Sequence, residues 1–409
     1  METLALILAG GKGSRLDLLS EIRSKPAMPF AGKFRIIDFT LSNCSNSGIH
    51  DIAILTQYMP LSLNEHIGSG KPWDLDRRDS AITLLQPHTK WYEGTADAVY
   101  KNLSFVKRRE AKYILILSGD HIYKMNYKKM IKAHIATGAE LTIATTLVPF
   151  EEADRFGILE TDSSNKIIGF EEKPKNPKSN KASMGIYVFS ADVLYEVLEN
   201  THESELDFGK HIIPKMIQRP DSKVYSFGFE GYWKDVGTID SYLETNLELL
   251  HGGEAVLDLY EDDWKIYTRS EEMPPVRIGQ NAKITNSLIS NGSVIEGTVI
   301  NSILSPGVYV GKGAIVKDSV IFNNTKIGEN TQIEKSIIDK KVKIGSNVII
   351  GYGNTYTRNI EKPDILYSGI NIIAKRAIIP NDTIVERNCR IFDRVPITEK
   401  VVKAGSTIK

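Results

Sequence analysis

The stretch Leu8-Ala9-Gly10-Gly11-Lys12-Gly13-Ser14-Arg15 follows an apolar run, and its residue types suit an anion. Glycines at a strand end let backbone N–H groups approach a phosphate closely, and Lys12 and Arg15 add positive charge. The same residues serve equally for an ordinary tight turn between strand and loop. The pattern is not the dinucleotide fingerprint, because Leu16 stands where a third glycine belongs. Nor is it a P-loop, because no Gly-Lys-Ser/Thr closes it. Further on, Lys25-Pro26-Ala27 lies among Arg23, Lys33 and Arg35, the most basic short stretch near the glycines. It reads as part of an anion site or as a solvated basic loop.

Two aspartates stand where a metal–phosphate complex could be reached. Ser118-Gly119-Asp120-His121 follows the apolar strand Tyr113–Leu117. A Mg²⁺ site typically uses one or two carboxylates plus substrate phosphates; capping of the next turn is the other use of such an aspartate. Asp235 lies in Tyr232-Trp233-Lys234-Asp235-Val236-Gly237-Thr238, before a helix expected over Ile239–Leu249. Carboxylates from two distant segments let metal ions hold both reacting phosphates. His121 reads as structural, since the sequence places no ligand cluster around it. Trp91-Tyr92-Glu93-Gly94-Thr95-Ala96-Asp97-Ala98 ends a polar loop and starts a helix, where Gly94 and Thr95 could present free N–H groups. Glu171-Glu172-Lys173-Pro174 and Ser183-Met184-Gly185 lie across another polar loop, and alone they read as a solvated charged face.

The elements that must position these residues are legible up to about residue 250. Leu4–Ala9, Ile52–Thr56, Tyr113–Ser118 and Leu141–Leu147 are short apolar runs bounded by polar or glycine positions, the mark of buried strands. Between them Ala96–Lys107 and Tyr127–Thr137 carry helical periodicity. Such alternation predicts an α/β unit with a mainly parallel, Rossmann-like sheet. Ligands then bind beyond the carboxyl ends of the strands.

After about residue 275 the period changes. Gly311, Gly328 and Gly345 recur every 17 residues, Ser319 and Ser336 keep that step, and Ser287 and Ser302 precede them at a similar one. Within each repeat an aliphatic residue returns after six positions, as in Ile327 to Ile333 and Ile344 to Ile350. Six-residue steps with small polar corners predict a parallel β-helix, whose coils bury their apolar faces only by stacking. The expected division is 1–250, a linker at 251–275, and 276–409.

Composition bounds the rest. The 409 residues carry 51 basic and 51 acidic side chains, and a net charge of zero excludes a protein that coats nucleic acid. Two cysteines, Cys44 and Cys389, make neither a disulfide framework nor a thiolate metal cluster, so a reducing, cytoplasmic setting is expected. Leu4–Ala9 has no basic residues before it and is too short for a signal or a membrane span.

Taken in order, the motifs resemble the sugar-1-phosphate nucleotidyltransferases, and within them the bacterial branch that adenylylates glucose 1-phosphate. The resemblance covers nearly the whole chain and includes Arg35–Asn43, Asn46-Ser-Gly-Ile49, Phe156-Gly157 and Ser183–Tyr187 besides the segments above. It implies that Gly10, Gly11, Gly13 and Arg15 hold the phosphates of ATP, with Lys25 near them. Arg15, Lys25 and Asp120 would be the catalytic residues. Asp120 and Asp235 would bind Mg²⁺, and Gln86 and Gly94 would border the adenine. Tyr92, Gly157, Glu172, Lys173 and Ser183 would bind glucose 1-phosphate. The C-terminal β-helix would be left-handed and the assembly a homotetramer, with a regulatory paralogue as a further partner in some bacteria. Enterobacterial members carry an activator-linked lysine where this chain has Ile22, so control by a sugar bisphosphate is not expected. A non-catalytic regulatory chain would have lost the glycine loop or a metal aspartate, and both are kept here. An acyltransferase activity in the β-helix is not expected either, because no histidine follows His251.

Overall fold

The computed structural model describes residues 2–77, 80–88, 90–201, 205–253, 256–393 and 397–409. The chain divides into two compact units. One comprises Met1–Gly11, Ile37–Trp233 and Asp262–Tyr267; the other comprises Lys12–Ile36, Lys234–Glu261 and Thr268–Lys409.

The first unit is built on Thr3–Leu8, which runs parallel to Ile52–Leu55 on one side and to Tyr113–Ser118 on the other. Ile52–Leu55 in turn runs parallel to Ser80–Leu85. These strands are apolar almost throughout, as strands covered on both faces require. Leu4, Leu6, Ile114 and Ile116 lie fully buried in a core shared with Leu103, Val106, Phe189 and Leu194. Past Tyr113–Ser118 the sheet turns antiparallel: Lys181–Ser190 pairs with it and with Leu141–Leu147, and the latter carries Val224–Gly228 in parallel. A hairpin of Gly157–Thr161 and Ile167–Glu172 joins the edge through Ile158 opposite Ala182.

The helix Tyr127–Thr137 has the bounds its periodicity predicts. The helix expected over Ala96–Lys107 is instead two, Thr95–Lys101 and Leu103–Arg108. Asn102 breaks it: its Nδ2 donates to the Ala98 carbonyl at 2.8 Å and to the Tyr92 hydroxyl at 2.9 Å. A short amide side chain that captures its own backbone competes with helix propagation. Among the described residues no helix is long and apolar enough to cross a membrane.

The second unit is a left-handed parallel β-helix, with Lys12–Ile36 and the helix Ile239–Glu248 belonging to it. Three parallel sheets of six, seven and seven strands form its faces among the described residues. Successive coils pair Val310 with Ile327 and Ile327 with Ile344, a step of 17 residues each time. The aliphatic residues of these strands (Val299, Val310, Val316, Ile321, Ile327, Ile333) fill the interior. The corners explain the marks in the sequence. Ser287 accepts from the Ser302 backbone N–H at 3.2 Å, Ser302 from Ser319 at 3.1 Å and Ser319 from Ser336 at 3.1 Å. Asn301, Asp318 and Lys335 turn the chain in the left-handed region at equivalent places.

Between Ile344 and its partner Ile379 the step lengthens to 35; the faces on either side take the same step, one of them with a register shift between Ile350 and Tyr352. The added loop is pegged by fully buried Asn359, whose Nδ2 reaches the carbonyls of Asn388 and Gly405 at 3.1 Å and of Ser406 at 3.2 Å.

The glycines are stacked too: a Cβ on Gly328 would sit against the Gly345 carbonyl, and one on Gly311 would come within 2.9 Å of the carbonyl carbon of Gly328. Backbone cannot yield as a flexible side chain can. Gly328→Ala is therefore expected to destabilise the β-helix by about 1–3 kcal/mol. A chemical denaturation midpoint checks this; an unshifted midpoint would mean that the corner relaxes freely.

Candidate active site

The first unit gathers several expected site residues at the carboxyl ends of its parallel strands. Gly10 and Gly11 follow Thr3–Leu8, Gln86 follows Ser80–Leu85 and is exposed, and Asp120 follows Tyr113–Ser118. Ala9 stays on the sheet by donating to Leu55 O at 2.9 Å, and Gly119 donates to Leu8 O at 3.1 Å, so two of these loops leave side by side. Space around the glycines is uneven. A Cβ on Gly10 would come within 3.2 Å of the Gln57 Cβ, whereas Gly11 has nothing within 4 Å.

Gln57 was not among the expected residues. Its Nε2 donates to Tyr92 O at 3.1 Å and its Oε1 accepts from the Tyr92 N–H, so it staples the Tyr92 loop beside Gly10. The signal was available: Gln57 stands two residues beyond Ile52–Leu55, at the end of the sheet where ligands bind. The Tyr92 hydroxyl accepts from Asn102, and burial raises its pKa, so it remains a neutral phenol.

In the helix starting with Thr95, the two N–H groups that follow Gly94 and Thr95 are occupied. Ala96 and Asp97 both donate to Leu206 O, at 2.9 and 3.1 Å, and a Cβ on Gly94 would collide with that same carbonyl. Gly94 therefore provides a close approach for another backbone segment. The N–H groups of Ala96 and Asp97 are already spent.

Asp120 is partly exposed at 31%, and one of its oxygens accepts from the Ser118 hydroxyl. His121 Nε2 lies 3.6 Å from the same carboxylate, and its ring stands edge-on to Trp233 at 5.0 Å. A half-exposed carboxylate with an oriented oxygen is the hard donor that a divalent cation takes. Across the sheet, Gly157 leaves room for Glu172: a Cβ there would lie 2.5 Å from the Phe170 ring and 2.9 Å from Glu172 Oε2. Lys173 is 62% exposed, with Nζ 3.3 Å from Glu172 Oε1. Ser183 is buried, and its Oγ accepts from Gly185 N–H at 3.3 Å. Gly185, with φ +68°, bulges the strand so that it approaches Ser118 and His121. Ser183, Glu172 and Asp120 thus lie at the same end of one sheet.

The second unit carries Gly13, Arg15, Lys25 and Asp235. Gly13 turns at φ +67°, and a Cβ there would come within 2.9 Å of the Lys25 Cβ. Lys25 is buried and donates to Asp235 Oδ1 at 2.6 Å, while Arg15, more than half exposed, approaches Asp235 Oδ2 at 3.9 Å. The segment around them is held down rather than solvated. Arg23 donates from Nη2 to both oxygens of fully buried Asp339 at 2.9 Å. Arg390 grips Asp17 with two nitrogens, one to each oxygen: Nε and, at 2.9 Å, Nη2. Neither Asp339 nor Arg390 carries a local motif, and their partners are more than 300 residues away in sequence. Lys340, whose N–H donates to Asp339, has its pKa pushed down to about 7, first by burial and then by Arg35 and Arg23.

With this geometry in place, comparison with known proteins is decisive. The Nucleotidyl transferase family profile matches residues 4–252, and the profile described as GlmU-like, C-terminal hexapeptide, matches residues 274–373. A glucose-1-phosphate adenylyltransferase of Fervidobacterium nodosum is 50% identical over 414 aligned positions, covering 99% of this chain and 97% of the relative. The chain belongs to the glucose-1-phosphate adenylyltransferase family. The bacterial adenylyltransferase of that name from Thermosipho melanesiensis is 51% identical, with 99% of each chain covered. The one from Clostridium perfringens is 54% identical across 80% of this chain and 85% of its own. In this chain the Arg15–Lys25 segment is anchored by residues that no motif announces.

Asp339→Asn leaves the Arg23 charge buried without its carboxylate, and the expected destabilisation is about 3–5 kcal/mol. The paired Arg23→Met/Asp339→Leu variant is expected to recover most of that loss. Denaturation midpoints of the three proteins decide, and equal losses in the single and paired variants would show that the ion pair is not the cause.

Proposed function

We propose that the chain transfers the adenylyl group of ATP to α-D-glucose 1-phosphate, giving ADP-glucose and pyrophosphate for glycogen synthesis. The reading is carried by one observation, the match over nearly the whole chain to proteins named for that reaction. A phosphate oxygen of glucose 1-phosphate attacks the α-phosphorus of ATP in line, the bond to the bridging oxygen breaks, and pyrophosphate leaves with the electron pair. The nucleophile is already an anion, so no general base is needed. The task of the protein is to align two anions and reduce their repulsion.

Each residue then has a role in this reading. The backbone N–H groups of Gly10, Gly11 and Gly13 receive the ATP phosphates, and Arg15 and Lys25 add the charge that makes their approach tolerable. Gln86 and Gly94 border the adenine. Tyr92, Gly157, Glu172, Lys173 and Ser183 hold glucose 1-phosphate, with Lys173 on its phosphate and Glu172 accepting from sugar hydroxyls. Asp120 and Asp235 are the carboxylates that would hold Mg²⁺, which supplies charge neutralisation at the phosphates when bound. The assembly is read as a cytoplasmic homotetramer, with the β-helix providing subunit contacts and a regulatory paralogue as a possible additional subunit.

Pyrophosphate release from glucose 1-phosphate with ATP, UTP, dTTP or GTP, each with and without Mg²⁺, tests the reading; a preference for UTP or dTTP would overturn the adenylyl assignment. Asp120→Asn is expected to cut turnover by about 10²-fold or more with the fold intact, in line with the loss of an electrostatic contact at the reacting phosphate. Near-normal turnover would remove Asp120 from that role. Lys173→Gln is expected to raise the KM for glucose 1-phosphate and leave that for ATP nearly unchanged. Steady-state kinetics with either substrate varied separates the two.

A further inference from the structure

Asp120 is held by a side chain to which neither the motifs nor the resemblance gives a role. Ser118 is the last residue of the strand Tyr113–Ser118 and lies opposite Leu8, where Thr3–Leu8 hands over to the glycine loop. The chain bends at Gly119, and across that bend the Ser118 hydroxyl donates to Asp120 Oδ1. His121 Nε2 approaches the same oxygen at 3.6 Å. Both contacts fall on Oδ1, so they fix which oxygen faces the loop and, with it, the plane of the carboxylate.

Ser118 is itself fastened. Its carbonyl accepts from Thr40 Oγ1 at 3.2 Å, and Thr40 lies fully buried in the helix Ile36–Asn46. The next peptide is tied to the sheet, because the Gly119 N–H donates to Leu8 O at 3.1 Å. Nor is there slack around that glycine: a Cβ on it would lie 2.9 Å from Ile37 Cδ1 and 3.0 Å from Ile7 Cγ2. The bulged strand backs onto Ser118 from the other side, since a Cβ on Gly185 would lie 3.5 Å from the Ser118 Cβ. Two hydroxyls therefore connect the buried helix to the strand end, and the strand end to the carboxylate.

We propose that Ser118 is a positioning residue for the divalent cation: its hydroxyl sets the Asp120 carboxylate in the orientation that takes the ion, and Thr40 steadies the peptide that carries it. The proposal rests on the assignment of Asp120 to Mg²⁺. A carboxylate free to turn must be ordered when the ion binds, and a hydrogen bond that orders it beforehand removes that cost. Groups that orient the residues binding a metal are typically worth about 10–100-fold in its affinity. Ser118 contributes no metal-binding atom in this proposal and acts only through Asp120.

The test joins equilibrium binding to kinetics on the intact protein. Mn²⁺, followed by the electron paramagnetic resonance of the unbound ion, stands in for Mg²⁺. Ser118→Ala is expected to weaken Mn²⁺ binding by about tenfold, and to raise by about as much the Mg²⁺ concentration that half-saturates pyrophosphate release. Its KM for glucose 1-phosphate should stay within about twofold of wild type, and its denaturation midpoint should not move. Ser118→Thr keeps the hydroxyl and should bring both metal constants back to within about threefold of wild type. Thr40→Val, which loses only the contact to the Ser118 carbonyl, is expected to shift them the same way by about fivefold or less. In an Asp120→Asn background Ser118→Ala should add nothing, because its effect passes through that carboxylate. Unchanged metal constants in Ser118→Ala, or a loss that Ser118→Thr fails to restore, overturn the proposal and leave the assignment of Asp120 standing. If wild-type binding of Mn²⁺ is too weak for this measurement, the Mg²⁺ half-saturation decides. Asp120→Asn with wild-type metal constants overturns the assignment itself, and the proposal with it.

Discussion

Two arginine–aspartate pairs fix the segment on which the proposed phosphate chemistry depends. Arg15 and Lys25 lie in a loop of little regular structure, which has no core of its own. Arg23 on Asp339 and Arg390 on Asp17 tie that loop to the coils of the β-helix through buried ion pairs, the first from one nitrogen and the second from two. Burial makes each pair demanding: the desolvated charges are tolerable only in good geometry, and losing one partner strands the other. At Arg390 the directionality of the guanidinium fork fixes orientation as well as distance. Lys25 can then rest on Asp235 without wandering, because its loop is held at Asp17 and Arg23 before it and at Ala31 after it.

The β-helix therefore does more than fill out the chain. Its interior is an ordinary stack of aliphatic residues, but its outer positions supply Asp339 and Arg390, and Asn246 of the adjoining helix accepts from Ala31 N–H at 2.9 Å. Tyr242 of that helix packs edge-on against Phe30 at 6.3 Å and against Phe322 of a coil at 6.3 Å. A charged loop near the start of the chain thus belongs, by its contacts, to the compact unit that ends it.

Much of this was legible from the residues alone, for definite reasons. The parallel strands are near-continuous apolar runs, and the strand bounds Tyr113–Ser118 and Leu141–Leu147 are those their composition marks out. The recurring serines and glycines of the second half are the ladder and the stacked corners themselves, so their spacing encodes the coil directly. What stayed hidden is long-range. Asp339 and Arg390 have no local pattern, because an ion pair between distant residues leaves no periodic trace. The division of the helix after Thr95 turned on one side chain, Asn102, reaching back to Ala98. The Ala96 and Asp97 N–H groups are taken by Leu206, a partner that only folding brings near. Gln57 was closer to being readable, since it sits at a strand end where the sheet topology gathers ligand contacts.

The 35-residue step between Ile344 and Ile379 shows what the β-helix measures. Each face carries the same step across the excursion, with Ile338 opposite Ile373 and Ile350 opposite Val385, and one face takes up a register shift between Ile350 and Tyr352. The structure counts turns of the coil and is indifferent to how much chain is spent at a corner, provided that the detour is pegged as Asn359 pegs this one. Length is thus a poor yardstick for descent in this half of the molecule. Relatives can diverge by whole loops at corners and still superimpose face for face, so corners are where lineages can gain new surface without disturbing the inherited frame.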